Sequence, residues 1–197
     1  MATSPTTGAL TRMVEGRIVP AAGHWEIDPG HTSAAFAIRH LLTRMRGRFT
    51  DLSGSIIIDE VPAKSTVEVA IQAASLSTGN NAADDALRGE RFLDVEHHQT
   101  ITFASTEVVA SEDGRWTIVG DLTIKGVTRS VSLATSFLGA ATSPLGDLRK
   151  MSFDATTRIT RDQFEMGWLM ESPDTPGVYI MGNELDITLD IEADLQA

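Results

Sequence analysis

From residue 24 onward the side chains alternate between apolar and polar, and few architectures are open to a chain with that period. Trp116, Ile118, Gly120, Leu122 and Ile124 alternate with Thr117, Val119, Asp121 and Thr123. The next stretch sets Val127, Val131, Leu133 and Phe137 against Thr128, Ser130, Ser132 and Ser136. Met151, Phe153, Ala155 and Ile159 repeat the pattern, as do Leu185, Ile187, Leu189 and Ile191 opposite Glu184, Asp186, Asp190 and Glu192. Side chains of a strand point to opposite faces in turn, so this is the pattern of antiparallel strands buried on one face. Eight main strands are expected, over 31–39, 46–59, 65–75, 100–110, 115–125, 127–139, 148–160 and 183–193, with a short lead-in over 24–28. Turn-forming residues separate them at Asp59-Glu60-Val61-Pro62, Glu112-Asp113-Gly114, Lys125-Gly126 and Ser143-Pro144-Leu145-Gly146. Long meandering strands favour a single extended antiparallel barrel over a sandwich. Residues 79–99 lack the alternation and read as a helical excursion around 80–93, capped by Asn80 or Asn81. His40–Met45 is expected to form a helical turn.

With 197 residues, 42% of them apolar, the chain is long enough for one domain with a sizeable core. Residues 1–22 read as a tail or flanking segment and 23–197 as the barrel. Sixteen basic against 27 acidic residues give a net charge of −11, the wrong sign for a nucleic-acid partner. Cysteine is absent, which removes disulfides, thiolate metal sites and Cys nucleophiles. The N-terminus carries no apolar signal segment, and no transmembrane segment is long enough to span a bilayer, so a soluble, cytoplasmic protein is expected.

An eight-stranded barrel either fills with its own side chains or holds one small ligand. The inward candidates Ile101, Phe103, Trp116, Ile118, Ile124, Leu133, Phe153, Ile159 and Ile187 bring hardly any polar groups. A polar ligand needs convergent donors. A long apolar chain needs none, since each buried methylene contributes about 0.8 kcal/mol. A plain packed core is the competing reading of the same faces.

Residues 25–49, WEIDPGHTSAAFAIRHLLTRMRGRF, resemble the opening of the YceI family through Trp25, Ile27, Asp28, His31, Ser33, Phe36, Ile38, His40, Leu41, Gly47 and Phe49. Three further segments match that family in order: 76–106, the hairpin GDLTIKGVTRSVSL at 120–133, and TRDQFEMGW at 160–168. Two departures stand out. Where the family usually carries Arg-Asp-x-His this chain reads Ala83-Asp84-Asp85-Ala86, and Gln99 replaces a Pro. The resemblance implies a lipocalin-like barrel that binds a polyisoprenoid or related amphiphilic lipid, without catalysis, and a homodimer. Phe36, Ile38 and Phe92 then join the expected lipid contacts, with Phe164 and Trp168 lining the tunnel or covering one end. No cofactor is expected beyond the bound isoprenoid-type lipid.

Arg39, Arg44, Arg46 and Arg48 fall within ten residues of an otherwise acidic chain. Guanidinium groups suit phosphate and carboxylate oxygens. Arg39, His40, Arg44 and Arg46 are therefore the head-group candidates, and a solvated face is the alternative. His31 and His40, or Asp94, Glu96, His97 and His98, fall short of a metal-ligand spacing. Asp28 and His31 are expected to share a turn hydrogen bond. Neither a nucleophile elbow nor a phosphate-binding glycine loop is present. An enzyme of small amphiphiles built on Asp28, His31 and His40, or a dimeric scaffold with a closed core, are the competing functions. Loop 170–182 reads as a flap, a barrel-end cover or a dimer contact.

Overall fold

The computed structural model describes residues 9–111, 114–144, 148–167 and 171–196. Strands β1 (Thr11–Val14) and β2 (Arg17–Pro20) form a separate two-stranded hairpin. One large sheet holds β3 (Gly23–Ile27), β4 (Ser33–His40), β5 (Thr43–Phe49), β6 (Leu52–Ile58), β7 (Thr66–Gln72), β8 (Leu76–Ser77), β9 (Thr100–Ala110), β10 (Trp116–Ile124), β11 (Val127–Thr142), β12 (Arg149–Thr160) and β13 (Met181–Leu195).

Three of these pairs are halves of single bent ribbons. Strands β3 and β4 lie along the same edge of β13, through Ile27↔Ala193 and Ser33↔Asp190. Strands β5 and β6 lie opposite them, through Phe49↔Ala34 and Ser55↔Glu26. Strands β7 and β8 follow, through Ile71↔Leu52 and Leu76↔Phe49. Eight ribbons result, each antiparallel to its neighbours, and β13 pairs with both β12 and β3/β4 to close the ring. The fold is an eight-stranded up-and-down antiparallel barrel, as the alternation predicts. Closure removes the free edges that an open sheet of this length would expose.

At one end of the barrel the third ribbon is too short. Strand β8 reaches only Arg48 and Phe49 of β5, leaving Thr43–Gly47 unpaired on that side. The excursion between β8 and β9 lies at this end. Helix α1 (Asn81–Arg88) begins at Asn80, whose Oδ1 accepts from the backbone N–H groups of Ala82 and Ala83 at 3.1 and 3.3 Å. Asp84 is buried and accepts from the Thr78 N–H and hydroxyl at 2.7 and 2.6 Å, which holds its carboxyl below the ordinary range. This Asp is the one member of the family's four-residue signature that the chain retains, and it ties the helix to the barrel. The helix stops at Arg88, short of the expected 93. Gly89 follows it, and the chain continues in turns to 97.

The helical turn expected at His40–Met45 is instead a strand reversal. His40 ends β4 and pairs with Thr43 across a two-residue turn, Leu41 taking a φ of +50°. Alternation continues through the turn, because Ile38 and Met45 must both face inward.

Two apolar clusters fill the barrel ends. Phe36, Leu87, Leu93, Ile101, Ile124 and Phe164 belong to the helical end. Trp25, Ile27, Leu52, Ile56, Met151 and Ala193 form the other. Gly54 sits where β6 presses on β7. A Cβ there would collide with the Glu68 carbonyl oxygen and stand 3.0 Å from Val69 Cα, and rotamer changes cannot relieve contact with backbone. Gly54→Ala is expected to cost about 2 kcal/mol. Thermal unfolding would report this as a drop of about 4–8 °C in Tm.

Candidate functional site

The inward faces enclose a cavity of about 180 Å³ toward the helical end. Phe36, Ile38, Phe92, Ile101, Phe103, Ile124 and Leu133, all expected lipid contacts, line it together. So do Ile159 and Ile187. Along β13 the lining runs through Met181, Leu185, Ile187, Leu189 and Ile191, alternating regularly from Leu185 onward after a register shift between Met181 and Leu185. The ten steps from Met181 to Ile191 rise at most about 33 Å along the strand, or about 25 Å along a barrel axis to which the strands tilt by about 40°.

A second, smaller cavity of about 80 Å³ lies toward the opposite end and collects the other predicted contacts, Trp116, Ile118 and Phe153. Phe164, expected to line the tunnel or cover one end, packs in the cluster at the helical end. It is fully buried within the wall of the helical-end cluster and does not line either cavity. Trp168 lies outside the described residues.

Among the described residues that line the larger cavity, one carries a charge. Arg161 is 3% exposed. Its Nε donates to Gly182 O at 2.8 Å, Nη1 to Met166 O at 3.0 Å and Nη2 to Met181 O at 3.2 Å. Its guanidinium stands 5.8 Å from the Phe92 ring centroid. Among the described residues no carboxylate bonds to it, and burial pulls the guanidinium below its ordinary value against the opposing pull of Asp162. Guanidinium has five N–H donors and keeps its charge in proteins, so a buried one without a counter-ion attracts an acceptor oxygen. Arg161 belongs to the closing motif 160–168, but its neighbours in sequence, Thr160 and Asp162, are polar and gave no sign of burial.

The head-group candidates read from sequence stand elsewhere. Arg44 and Arg46 alternate with the cavity-lining Met45, so they project from the outer face of β5. Arg39 is their exposed counterpart on β4, opposite Arg44, and His40 follows it at the turn. Arg44 Nη1 donates to Asp186 Oδ2 at 2.6 Å, and Arg158 Nε donates to the other oxygen of that carboxylate at 2.7 Å.

Asp28 and His31 form the expected hydrogen bond, Nδ1 to Oδ2 at 2.7 Å. They belong to a larger cluster at the opposite end of β4 from His40. Lys150 Nζ lies 2.8 Å from Asp28 Oδ2, 2.8 Å from Glu192 Oε1 and 2.9 Å from Asp194 Oδ1. Burial works against the ammonium, but the bonds to Asp28, Glu192 and Asp194 outweigh it and raise its pKa. The Lys150 bond, then the His31 bond, lower Asp28 to about 2. Asp28, His31 and Glu192 have ligand atoms close enough to share a metal ion, but the Lys150 ammonium already bonds both carboxylates. His97 bonds Asp94 at 2.8 Å, and among the described residues it does not gather with Glu96 and His98 around a common point. Of the three residues considered for catalysis, Asp28 and His31 meet, and His40 stands at the opposite end of β4. No helix among the described residues is long and apolar enough to cross a membrane.

The family's own sequence pattern is met across most of this barrel. A YceI-like domain matches residues 25–193. The chain belongs to the YceI-like family. A UPF0312 protein of Vibrio vulnificus is 35% identical over 138 residues, covering 69% of this chain and 72% of the relative. Another UPF0312 protein, from Yersinia enterocolitica, is 35% identical over 163 residues, covering 82% and 83%. Among solved structures, BcnA of Burkholderia cenocepacia superposes with a TM-score of 0.72 at 19% identity, covering 84% of this chain and 98% of that one. A polyisoprenoid binding domain from Saccharophagus degradans superposes at 0.63 with 10% identity, covering 89% and 100%. These likenesses show a shared YceI-like fold. The barrel, with its apolar cavities, is consistent with a hydrophobic ligand.

Proposed function

We propose that this YceI-like barrel binds one isoprenoid-type or other long-chain amphiphile reversibly, as carrier, store or sensor, without covalent chemistry. The observation that carries this reading is the length and uniformity of the larger cavity's apolar lining, from Met181 to Ile191 on β13. An axial run of about 25 Å exceeds the depth of one bilayer leaflet, about 15 Å of hydrocarbon. A lining of that reach suits the apolar chain of an amphiphile. At about 0.8 kcal/mol per buried methylene, such a chain binds by burial alone. The polyisoprenoid binding domain that shares the fold points to the same ligand class.

The head group is assigned to Arg161, the charged side chain that lines the larger cavity. Arg39, Arg44 and Arg46 flank the same end from outside. Arg161→Gln keeps hydrogen-bond donors and removes the charge. It is expected to reduce affinity for farnesyl phosphate about tenfold or more, the range of a charge-assisted hydrogen bond. Affinity for farnesol should change much less. Titration calorimetry with both ligands checks the ratio, and an unchanged ratio removes Arg161 from this role.

Native mass spectrometry of the freshly purified protein, followed by organic extraction, tests the function itself. The expected result is one species with a long apolar chain near one per protomer, or stoichiometric uptake of an added prenyl lipid. A protein that carries nothing and takes up no prenyl lipid overturns the reading and leaves a closed barrel core.

A further inference from the structure

The N-terminal hairpin and the smaller cavity belong together. The family match starts at Trp25, so β1 and β2 lie outside it. Yet β2 turns Val19 inward to 2% exposure, and Val19 and Pro20 line the smaller cavity beside Trp116 and Ile118. Two arginines clip the hairpin across the barrel end. Arg12 donates to the backbone carbonyls of Asp59 and Glu60 at 2.6 and 2.8 Å. Arg17 donates to those of Ser111 and Arg115 at 2.6 and 3.2 Å, with its guanidinium 5.8 Å from the Trp116 ring centroid. These carbonyls sit in or beside two separate inter-strand connections, after β6 and between β9 and β10, so the hairpin spans the opening.

The two cavities are neighbours. Val67, Leu133 and Ile191 line both, and they come from β7, β11 and β13, which are spaced around the ring and not adjacent in it. Three aliphatic side chains from separated strands make a waist between two chambers on one axis. The far chamber offers little to water. Of its polar lining groups, Ser65 accepts from the Asp59 N–H, Thr135 donates to Leu133 O, and Arg12 directs both terminal nitrogens to the Asp59 and Glu60 carbonyls and leaves its Nε without a partner among the described residues. A space of about 80 Å³ with so few free partners favours hydrocarbon over water.

We propose that the far chamber is the terminal subsite for the ligand's apolar tail and that the hairpin is its stopper, so that together they set the longest chain the barrel accepts. The inference rests on the lipid-binding reading and adds its specificity. The tail enters from the Arg161 end, passes the waist at Val67, Leu133 and Ile191, and stops against Val19 and Pro20. Chains that end short of the waist do not sense the hairpin. Chains too long to end within the far chamber are excluded by it.

The test is a length series of prenyl alcohols, from geraniol through farnesol and geranylgeraniol to longer homologues, bound to the full chain and measured by competition and native mass spectrometry. Wild-type affinity is expected to climb with length and then fall beyond a limit. Ile118→Trp fills the far chamber and should weaken the longest accepted alcohols about tenfold, leaving geraniol within about twofold. Arg12→Ala combined with Arg17→Ala unclips the hairpin and should admit homologues beyond the wild-type limit. A wild-type protein that binds the series, with both variants showing its length profile, overturns the subsite and the stopper but leaves lipid binding intact. A wild-type protein that binds no member overturns both readings.

Discussion

Val69→Trp is expected to abolish uptake of long prenyl chains and leave the barrel folded. Val69 projects from β7 into the larger cavity, where its strand neighbours are Gly54 on one side and Phe103 on the other. An indole at that position occupies space that the ligand's chain would otherwise take. If it displaces a stretch equivalent to about five methylenes, about 4 kcal/mol of burial is lost, close to a thousandfold in affinity. The cost to the fold is smaller, because the side chain enters a cavity and not a filled core. Overpacking of about 1 kcal/mol would lower Tm by about 2–4 °C for a chain of this size. Binding titrations with a long prenyl alcohol, beside thermal unfolding of the same samples, check both halves. Undiminished binding by a folded Val69→Trp protein would place the ligand outside the lumen.

The largest effect on stability is expected from Lys150→Met. In the native barrel the Lys150 ammonium bonds Asp28, Glu192 and Asp194, which approach from β3–β4 and β13. Removing it leaves three carboxylates facing one another, with His31 Nδ1 2.7 Å from Asp28 and 3.7 Å from Glu192. Loss of one partner from a largely buried ionic cluster costs about 3 kcal/mol at neutral pH. That corresponds to about 6–12 °C in Tm.

The pH dependence has a definite sign. Asp28 is lowered to about 2 from an ordinary 3.8. A depressed carboxyl contributes stability that is complete above its unfolded pKa and disappears as pH falls through its folded one. The gap between wild type and Lys150→Met should therefore be full at pH 6, shrink below about pH 4 and largely close near pH 2. Urea titrations at several pH values follow it. A gap that does not change between pH 6 and pH 3 would show that Lys150 acts through packing of its aliphatic stem.

Much of the barrel is legible in the chain because its signal is local. A strand with one buried face must place apolar residues at every second position, and Trp116, Ile118, Leu122 and Ile124 do so whatever they eventually touch. Strand β9 is found over Thr100–Ala110, and β12 and β13 lie within two residues of their expected ends, since a one-residue slip would turn each apolar face to solvent. Regions with weaker alternation departed from expectation. His40–Met45 contains two leucines and one arginine without clear alternation, which suits a helical turn, but pairing of His40 with Thr43 holds it extended. Met13 and Ile18, cross-strand partners on the outer side of the N-terminal hairpin, remain exposed, which is why that segment reads as a tail.

The partners that matter most at the site are far apart in sequence. Arg44 and Asp186 meet across 142 positions, Lys150 and Asp28 across 122, and Arg17 reaches Ser111 across 94. Local patterning specifies which face of each strand is buried, and with it an antiparallel barrel with an apolar interior. Ring closure then decides which charged side chains meet. It turns Arg39, Arg44 and Arg46 to the outside and brings Arg161 in against three backbone carbonyls. It also seats the hairpin across the far end. An arginine carries the same letter in both settings, and its environment is set by strands that come together only when the sheet closes.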